Sequence, residues 1–170
     1  MKKLFSLIVF ICAVTALNAQ STATTTPLPL IYHPELDARA EMNKAIKTAK
    51  LEHKNVVLMI GGNWCKWCRR FQQFIDANAK IDSTLKSGFV FEHLNYSKEN
   101  KNLDILAELN FPQRFGFPVF VILDADGKRI HTQNSGYLED GDGYSEEKII
   151  EFFSQWSPSA LNPENYVEKK

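Results

Sequence analysis

The chain has 170 residues, 44% hydrophobic and 24% charged, with 20 Lys plus Arg against 20 Asp plus Glu. That length suits one domain with a full core and no need of disulfide staples, and the composition is neither disordered nor collagen-like. Balanced charge argues against nucleic acid as a partner, because holding phosphate calls for a basic surface.

Met1-Lys2-Lys3, an apolar stretch over residues 4–17 and then Asn18-Ala19-Gln20 have the charged start, short apolar core and small residue of a secretory signal peptide. Cleavage is expected after Ala19 or Gln20, giving a leader over residues 1–19. The stretch falls short of the ~20 apolar residues of a spanning helix. Cys12 lies inside it behind bulky Phe10 and Ile11, a poor context for lipid attachment. Without the leader, and so without Lys2 and Lys3, 18 basic residues face 20 acidic ones, a net charge of about −2, and the cysteines left are Cys65 and Cys68.

Residues 20–33, with a Thr cluster and Pro27 and Pro29, read as a flexible lead, in which Leu30-Ile31-Tyr32 is expected as a short edge strand. Over residues 34–53 the apolar positions Ala38, Met42, Ala45, Ile46 and Ala49 recur at helical spacing, which predicts an amphipathic helix. Val56-Val57-Leu58-Met59-Ile60 is an unbroken apolar run, the pattern of a strand covered on both faces. Gly61-Gly62 ends it and frees the backbone for a tight turn into Asn63-Trp64-Cys65-Lys66-Trp67-Cys68-Arg69-Arg70.

After the cysteines, Trp67, Phe71, Phe74, Ile75 and Asn78 mark the packed stripe of a second helix, with Trp67 expected partly exposed between the cysteines. Residues 81–86 read as a short helical or irregular piece, Gly88 as its stop, and residues 89–96 as a strand. Leu103, Leu106 and Ala107 supply a short helical face. Pro118 then stands at the mouth of the apolar strand Val119-Phe120-Val121-Ile122-Leu123, where it removes one ladder donor at little cost. Asp124-Ala125-Asp126-Gly127 has hairpin chemistry and returns the chain through Lys128-Arg129-Ile130-His131. These acids, like Asp140-Gly141-Asp142-Gly143, are too few for a calcium loop with a distal Glu and read as turns. Ser145 is an N-cap for a last helix buried through Ile149, Phe152, Phe153 and Trp156, and residues 158–170 form a polar tail. Without repeats or an internal linker, the order predicts one α/β domain over residues 34–157.

The chemistry sits at the strand-to-helix junction. A helix beginning at or next to Cys65 surrounds that sulfur with unpaired N–H groups at the positive end of a dipole, which favours thiolate over thiol. Lys66, Arg69 and Arg70 add charge of the same sign. A thiolate attacks disulfides, so the pair reads as a reactive dithiol. The competing reading is a static staple, but so short a loop stabilises little in the chain-entropy model. A zinc site needs two more ligands, and His33, His53, His93 and His131 show no zinc-like spacing, so no metal is expected.

Trp64-Cys65-Lys66-Trp67-Cys68 after an apolar strand, with Gly116-Phe117-Pro118-Val119-Phe120 about fifty residues later and an Asp-x-x-Gly hairpin behind it, resembles the thioredoxin-like superfamily. The form with Gly-Gly ahead of the motif is similar to exported bacterial members, including the C-terminal domain of the thiol:disulfide interchange transporter. The resemblance implies a central mixed sheet with helices on both faces. It implies Cys65 as the exposed nucleophile and Cys68 as the buried resolving thiol, with no cofactor beyond their redox-active disulfide. It also implies a cis bond before Pro118 that brings the Phe117 backbone beside the dithiol, and a substrate rim that includes Trp64, Lys66 and Trp67. In thioredoxin proper a buried Asp in the preceding strand moves the resolving proton; here that position is Met59, with His93 in the neighbouring strand as a weak stand-in. Lys66-Trp67 replaces thioredoxin's Gly-Pro, and Lys66 is expected to stabilise the thiolate and raise the reduction potential.

The expected activity is therefore that of an exported thiol:disulfide oxidoreductase, periplasmic in a bacterium, which reduces or isomerises protein disulfides with electrons from a membrane donor. A non-catalytic binding module with a permanently oxidised CxxC is the alternative. Oligomeric state stays open, with a monomer the working expectation.

Overall fold

The computed structural model describes residues 27–168. The expected leader, Cys12 and the first residues of the lead lie outside the described residues. Five helices, α1 (Ala38–Glu52), α2 (Lys66–Asp76), α3 (Ala79–Gly88), α4 (Leu103–Glu108) and α5 (Glu146–Gln155), surround a four-stranded sheet. The sheet comprises β1 (Asn55–Gly61), β2 (Phe89–Asn95), β3 (Val119–Leu123) and β4 (Arg129–Asn134). A two-stranded ribbon, β5 (Glu139–Asp140) and β6 (Gly143–Tyr144), precedes α5.

Strand order is β2-β1-β3-β4, with β1 parallel to β2 and antiparallel to β3, and β3 antiparallel to β4. The sheet is thus mixed. Alternation along the central strands divides the core into two layers. Val57 and Met59 of β1 and Phe120 and Ile122 of β3 face α2, α3 and α5. Val56, Leu58, Ile60, Val119, Val121 and Leu123 face α1 and α4. Every residue of β1 and β3 is buried, each large apolar side chain contributing about 1.5–3 kcal/mol. The apolar runs were unbroken because both faces are covered.

The helix expected from residue 34 begins at Ala38, because Asp37 accepts hydrogen bonds from the amides of Arg39 and Ala40 and fixes the start there. It ends at His53 in a left-handed conformation. Leu30-Ile31-Tyr32 is not a strand. The side chain of Asn63 accepts from the amides of Ile31 and Tyr32 at 2.9 and 3.0 Å and donates to the Tyr32 carbonyl at 2.7 Å, taking up the groups a strand partner would have paired. Tyr32, expected in a loose lead, is buried. The face of α4 is also corrected. Ile105, Leu106 and Leu109 pack inward while Leu103 and Ala107 are exposed, the choice set by which side meets the sheet.

Residues 79–88 form one regular helix capped by Asn78, and Ser145 caps α5 as expected. Asp124 Oδ1 accepts from the amides of Asp126 and Lys128, closing the β3–β4 hairpin, with Gly127 at φ +83°. Gly141 turns the β5–β6 ribbon at φ +53°. Among the described residues no helix is long and apolar enough to cross a membrane.

Candidate active site

At the end of β1 the chain turns through Gly62, whose carbonyl accepts from the Cys65 amide at 2.9 Å. Cys65 is the N-cap of α2: its backbone is extended, and its Sγ accepts from the Cys68 amide at 3.1 Å. The two cysteines form a disulfide across a Cα–Cα distance of 5.3 Å. A capping position ordinarily filled by Ser or Asp is thus filled by sulfur, which in its reduced form gains most from the helix-end amides as an anion.

Cys68 is fully buried and Cys65 is 5% exposed. The expectation of an exposed Cys65 is corrected for the bridged state: its sulfur is bonded to Cys68 and accepts from the Cys68 amide, and the residue as a whole is buried. The cations around it also divide. The Arg69 guanidinium donates to the carbonyls of Leu28 and Pro29, binding the chain's lead to α2. That of Arg70 lies 5.2 Å from the centre of the Trp67 ring and donates to the Asp142 carbonyl. Lys66, the first residue of α2, is exposed beside Cys65.

The two tryptophans have different surroundings. Trp64 is 58% exposed, its Nε1–H donates to the Tyr96 carbonyl at 2.7 Å, and its ring stands edge-on to Phe117 at 5.3 Å. Phe117 stacks on Tyr96 at 4.9 Å, and the Phe117–Pro118 bond is cis. Trp67 is half-buried and meets Tyr144 edge-on at 5.5 Å. Trp64, Phe117 and Tyr96 thus make an aromatic surface next to the disulfide. A cavity of about 650 Å³ adjoins it, lined by Asn63, Trp64, Tyr96, Lys98 and Lys101 among others.

Met59 is fully buried in the same layer as Cys68, between His93 on β2 and Phe120 on β3 in register. No carboxylate occupies that position. His93 Nε2 pairs with Gln72 Oε1 at 2.8 Å, and burial pushes its pKa down to about 4, which makes it a weak proton acceptor at neutral pH.

Tyr32, Tyr96 and Tyr144 had no place in the site as read from sequence, and Asn63 stood in the cysteine stretch without an assigned role. Each reaches it by a long-range contact for which local spacing gives no signal, except Asn63, whose position next to Trp64 marked it. Gly61 also has a role beyond ending the strand. A Cβ built there would stand 2.4 Å from Cys68 Sγ and 2.7 Å from Tyr32 Oη. Gly61→Ala is therefore expected to destabilise the oxidised fold by about 1–3 kcal/mol through overpacking, read as a lowered urea midpoint at unchanged slope. An unchanged midpoint would show that the sulfur and hydroxyl yield freely.

The thioredoxin-like domain family matches residues 42–145, more than half of the chain. The chain belongs to this family. As a thioredoxin-like domain it is 24% identical over 119 residues to the thiol:disulfide interchange protein DsbD of Vibrio cholerae, a match covering 69% of this chain. It spans 19% of that relative's length. Among solved structures, the disulphide isomerase from Xylella fastidiosa Temecula1 superposes with a TM-score of 0.67 at 28% identity, covering 76% of this chain and 98% of that one. A structure described as DsbH oxidoreductase superposes with a TM-score of 0.52 at 20% identity over 87% of this chain and 96% of that one, which bears on the fold. The thioredoxin-like fold expected from the motifs is the one the chain adopts.

Proposed function

We propose that this thioredoxin-like domain is an exported thiol:disulfide oxidoreductase, periplasmic in a bacterium, that reduces or isomerises protein disulfides. The observation that carries the reading is Cys65 at the N-cap of α2, its sulfur on the Cys68 amide, beside the exposed Trp64 ring and the half-buried Phe117 and Tyr96 rings packed with it. The names of the Vibrio and Xylella relatives, an interchange protein and a disulphide isomerase, support the class of reaction.

In the reduced form the Cys65 thiolate attacks a substrate disulfide. One substrate sulfur joins Cys65 and the other leaves with the electron pair and takes up a proton. Cys68, as thiolate, then attacks Cys65 Sγ, restoring the Cys65–Cys68 bond and releasing the second substrate thiol. The substrate is oxidant and the CxxC pair reductant, so turnover requires a thiol donor; a membrane electron donor fits that requirement. In isomerisation a second substrate thiol releases Cys65 instead, and no net electrons flow. Trp64, Phe117 and Trp67 present the surface for an extended substrate segment, Pro118 lies buried behind it, and Lys66 adds positive charge beside the reacting sulfur. The disulfide itself is the redox group, and no other cofactor enters the cycle.

The test is the reduction potential of the pair, measured by equilibrating the mature chain in glutathione or dithiothreitol buffers and reading thiol alkylation. A value near or below about −220 mV is expected for a reductant or isomerase, against about −120 mV for a net oxidant. A disulfide that strong dithiothreitol leaves intact would replace this reading with that of a static binding module.

A further inference from the structure

The cycle above, on which this inference rests, has a gap at Cys68. That sulfur must become an anion inside the core, where a charge without a hydrogen-bond partner is strongly disfavoured. Met59 cannot supply a proton or accept one. His93 is paired with Gln72 and held neutral, and the Tyr144 hydroxyl donates to the Trp67 carbonyl at 3.2 Å.

The Tyr32 hydroxyl remains. Tyr32 is 2% exposed, and its Oη is buried with no hydrogen-bond partner among the described residues. A buried hydroxyl left unpaired costs about 1–3 kcal/mol, and the usual remedy, exposure, is closed to it. Asn63 holds the Tyr32 backbone on both sides, and the His93 ring packs edge-on to the phenol at 5.5 Å. The hydroxyl and Cys68 Sγ flank one point, the missing Cβ of Gly61, at 2.7 and 2.4 Å, so they lie no farther apart than those two lengths end to end. Gly61 is what leaves room for both.

We propose that Tyr32 is a positioning residue for the resolving sulfur: its hydroxyl, unpartnered while the disulfide is closed, donates to Cys68 Sγ once the bridge opens and holds that sulfur as a thiolate. A disulfide sulfur is a poor acceptor, whereas a thiolate is a strong one, so the bond forms in the reduced state and in the mixed disulfide. The phenol keeps its proton, and burial pushes its own ionisation well above the ordinary tyrosine range. The proton Cys68 gives up ends on the departing substrate sulfur. Of the ionisable groups around the pair, His93 on β2 and Tyr144 on β6 are neutral over the working range, and Cys65, in direct contact with Cys68, is replaced by serine in the test.

The experiment compares Tyr32→Phe with its parent, both carrying Cys65→Ser so that Cys68 is the thiol observed, by following thiolate absorbance in the ultraviolet against pH. Loss of a hydrogen bond to a charged sulfur is expected to raise the Cys68 pKa by about one to two units. A role in packing alone leaves the titration where it was, and that result overturns the proposal. In the two-cysteine chain, Tyr32→Phe is expected to lower the equilibrium constant for reduction by dithiothreitol about tenfold. Should the variant not fold, hydroxyl exchange in the unsubstituted chain decides. The Tyr32 proton is expected to exchange more slowly after reduction, and equal rates in both states overturn the assignment. A parent chain that dithiothreitol cannot reduce defeats the functional reading, whereas normal reduction with an unshifted Cys68 titration defeats this inference alone.

Discussion

Cys65→Ser is expected to abolish disulfide reduction, whereas Cys68→Ser is expected to leave the first exchange intact and to accumulate mixed disulfides. The asymmetry follows from access. Cys65 keeps 5% of its surface exposed and caps the helix-end amides, so it is the cysteine expected to meet a substrate sulfur; Cys68 is fully enclosed. A serine hydroxyl at Cys65 keeps the cap on α2 but cannot attack sulfur at neutral pH, so turnover of insulin drops to the uncatalysed rate. With serine at Cys68 the adduct on Cys65 has no internal thiol to release it, and non-reducing gels show a band shifted by the mass of the substrate. Full insulin reduction by Cys65→Ser would sink the assignment of the nucleophile, and clean release by Cys68→Ser would sink that of the resolving thiol.

Phe71→Ala is expected to lose about 3–5 kcal/mol of stability, from the burial forfeited and the hole left behind. Phe71 is fully buried one turn beyond Cys68, with its ring 4.6 Å from Phe120 of β3 and 5.0 Å from Tyr144 of β6. It thus pins the cysteine helix to the central sheet and to the ribbon at once. Neither neighbour can collapse into the space freely, since Phe120 is fixed in a central strand paired on both sides and the Tyr144 hydroxyl is bonded to Trp67. Urea unfolding with the disulfide intact measures the loss. A change below about 1 kcal/mol would mean the site repacks, against the low compliance of close-packed cores.

Much of this molecule was legible because its signals are local. Five apolar residues in a row at Val56, and again at Val119, announce strands covered on two faces. Ser145 and the turn acids at Asp124 act on amides two to four residues away. The cysteine motif and Pro118 could be joined through family likeness without knowing their separation in space. What was missed depends on contacts between distant parts of the chain. Tyr32 resembles a strand residue, and nothing nearby indicates that Asn63 takes the place of a neighbouring strand. Arg69 and Arg70 read as charge for a thiolate, yet backbone carbonyls far along the chain, at Leu28, Pro29 and Asp142, claim them. At α4, Leu103 and Ile105 are equally apolar, and which of them turns inward depends on how the helix is placed against the sheet.

The reach of the family match and the reach of the folded body differ. Homology covers residues 42–145, yet Tyr32 ahead of it and Ile149, Phe152 and Phe153 behind it fill the same layer as Cys68. Shared ancestry thus marks the scaffold, while the lining of the redox centre draws on flanks outside it. Two relatives with similar matched segments can therefore surround the same pair of sulfurs with different neighbours, and set different potentials with an identical motif.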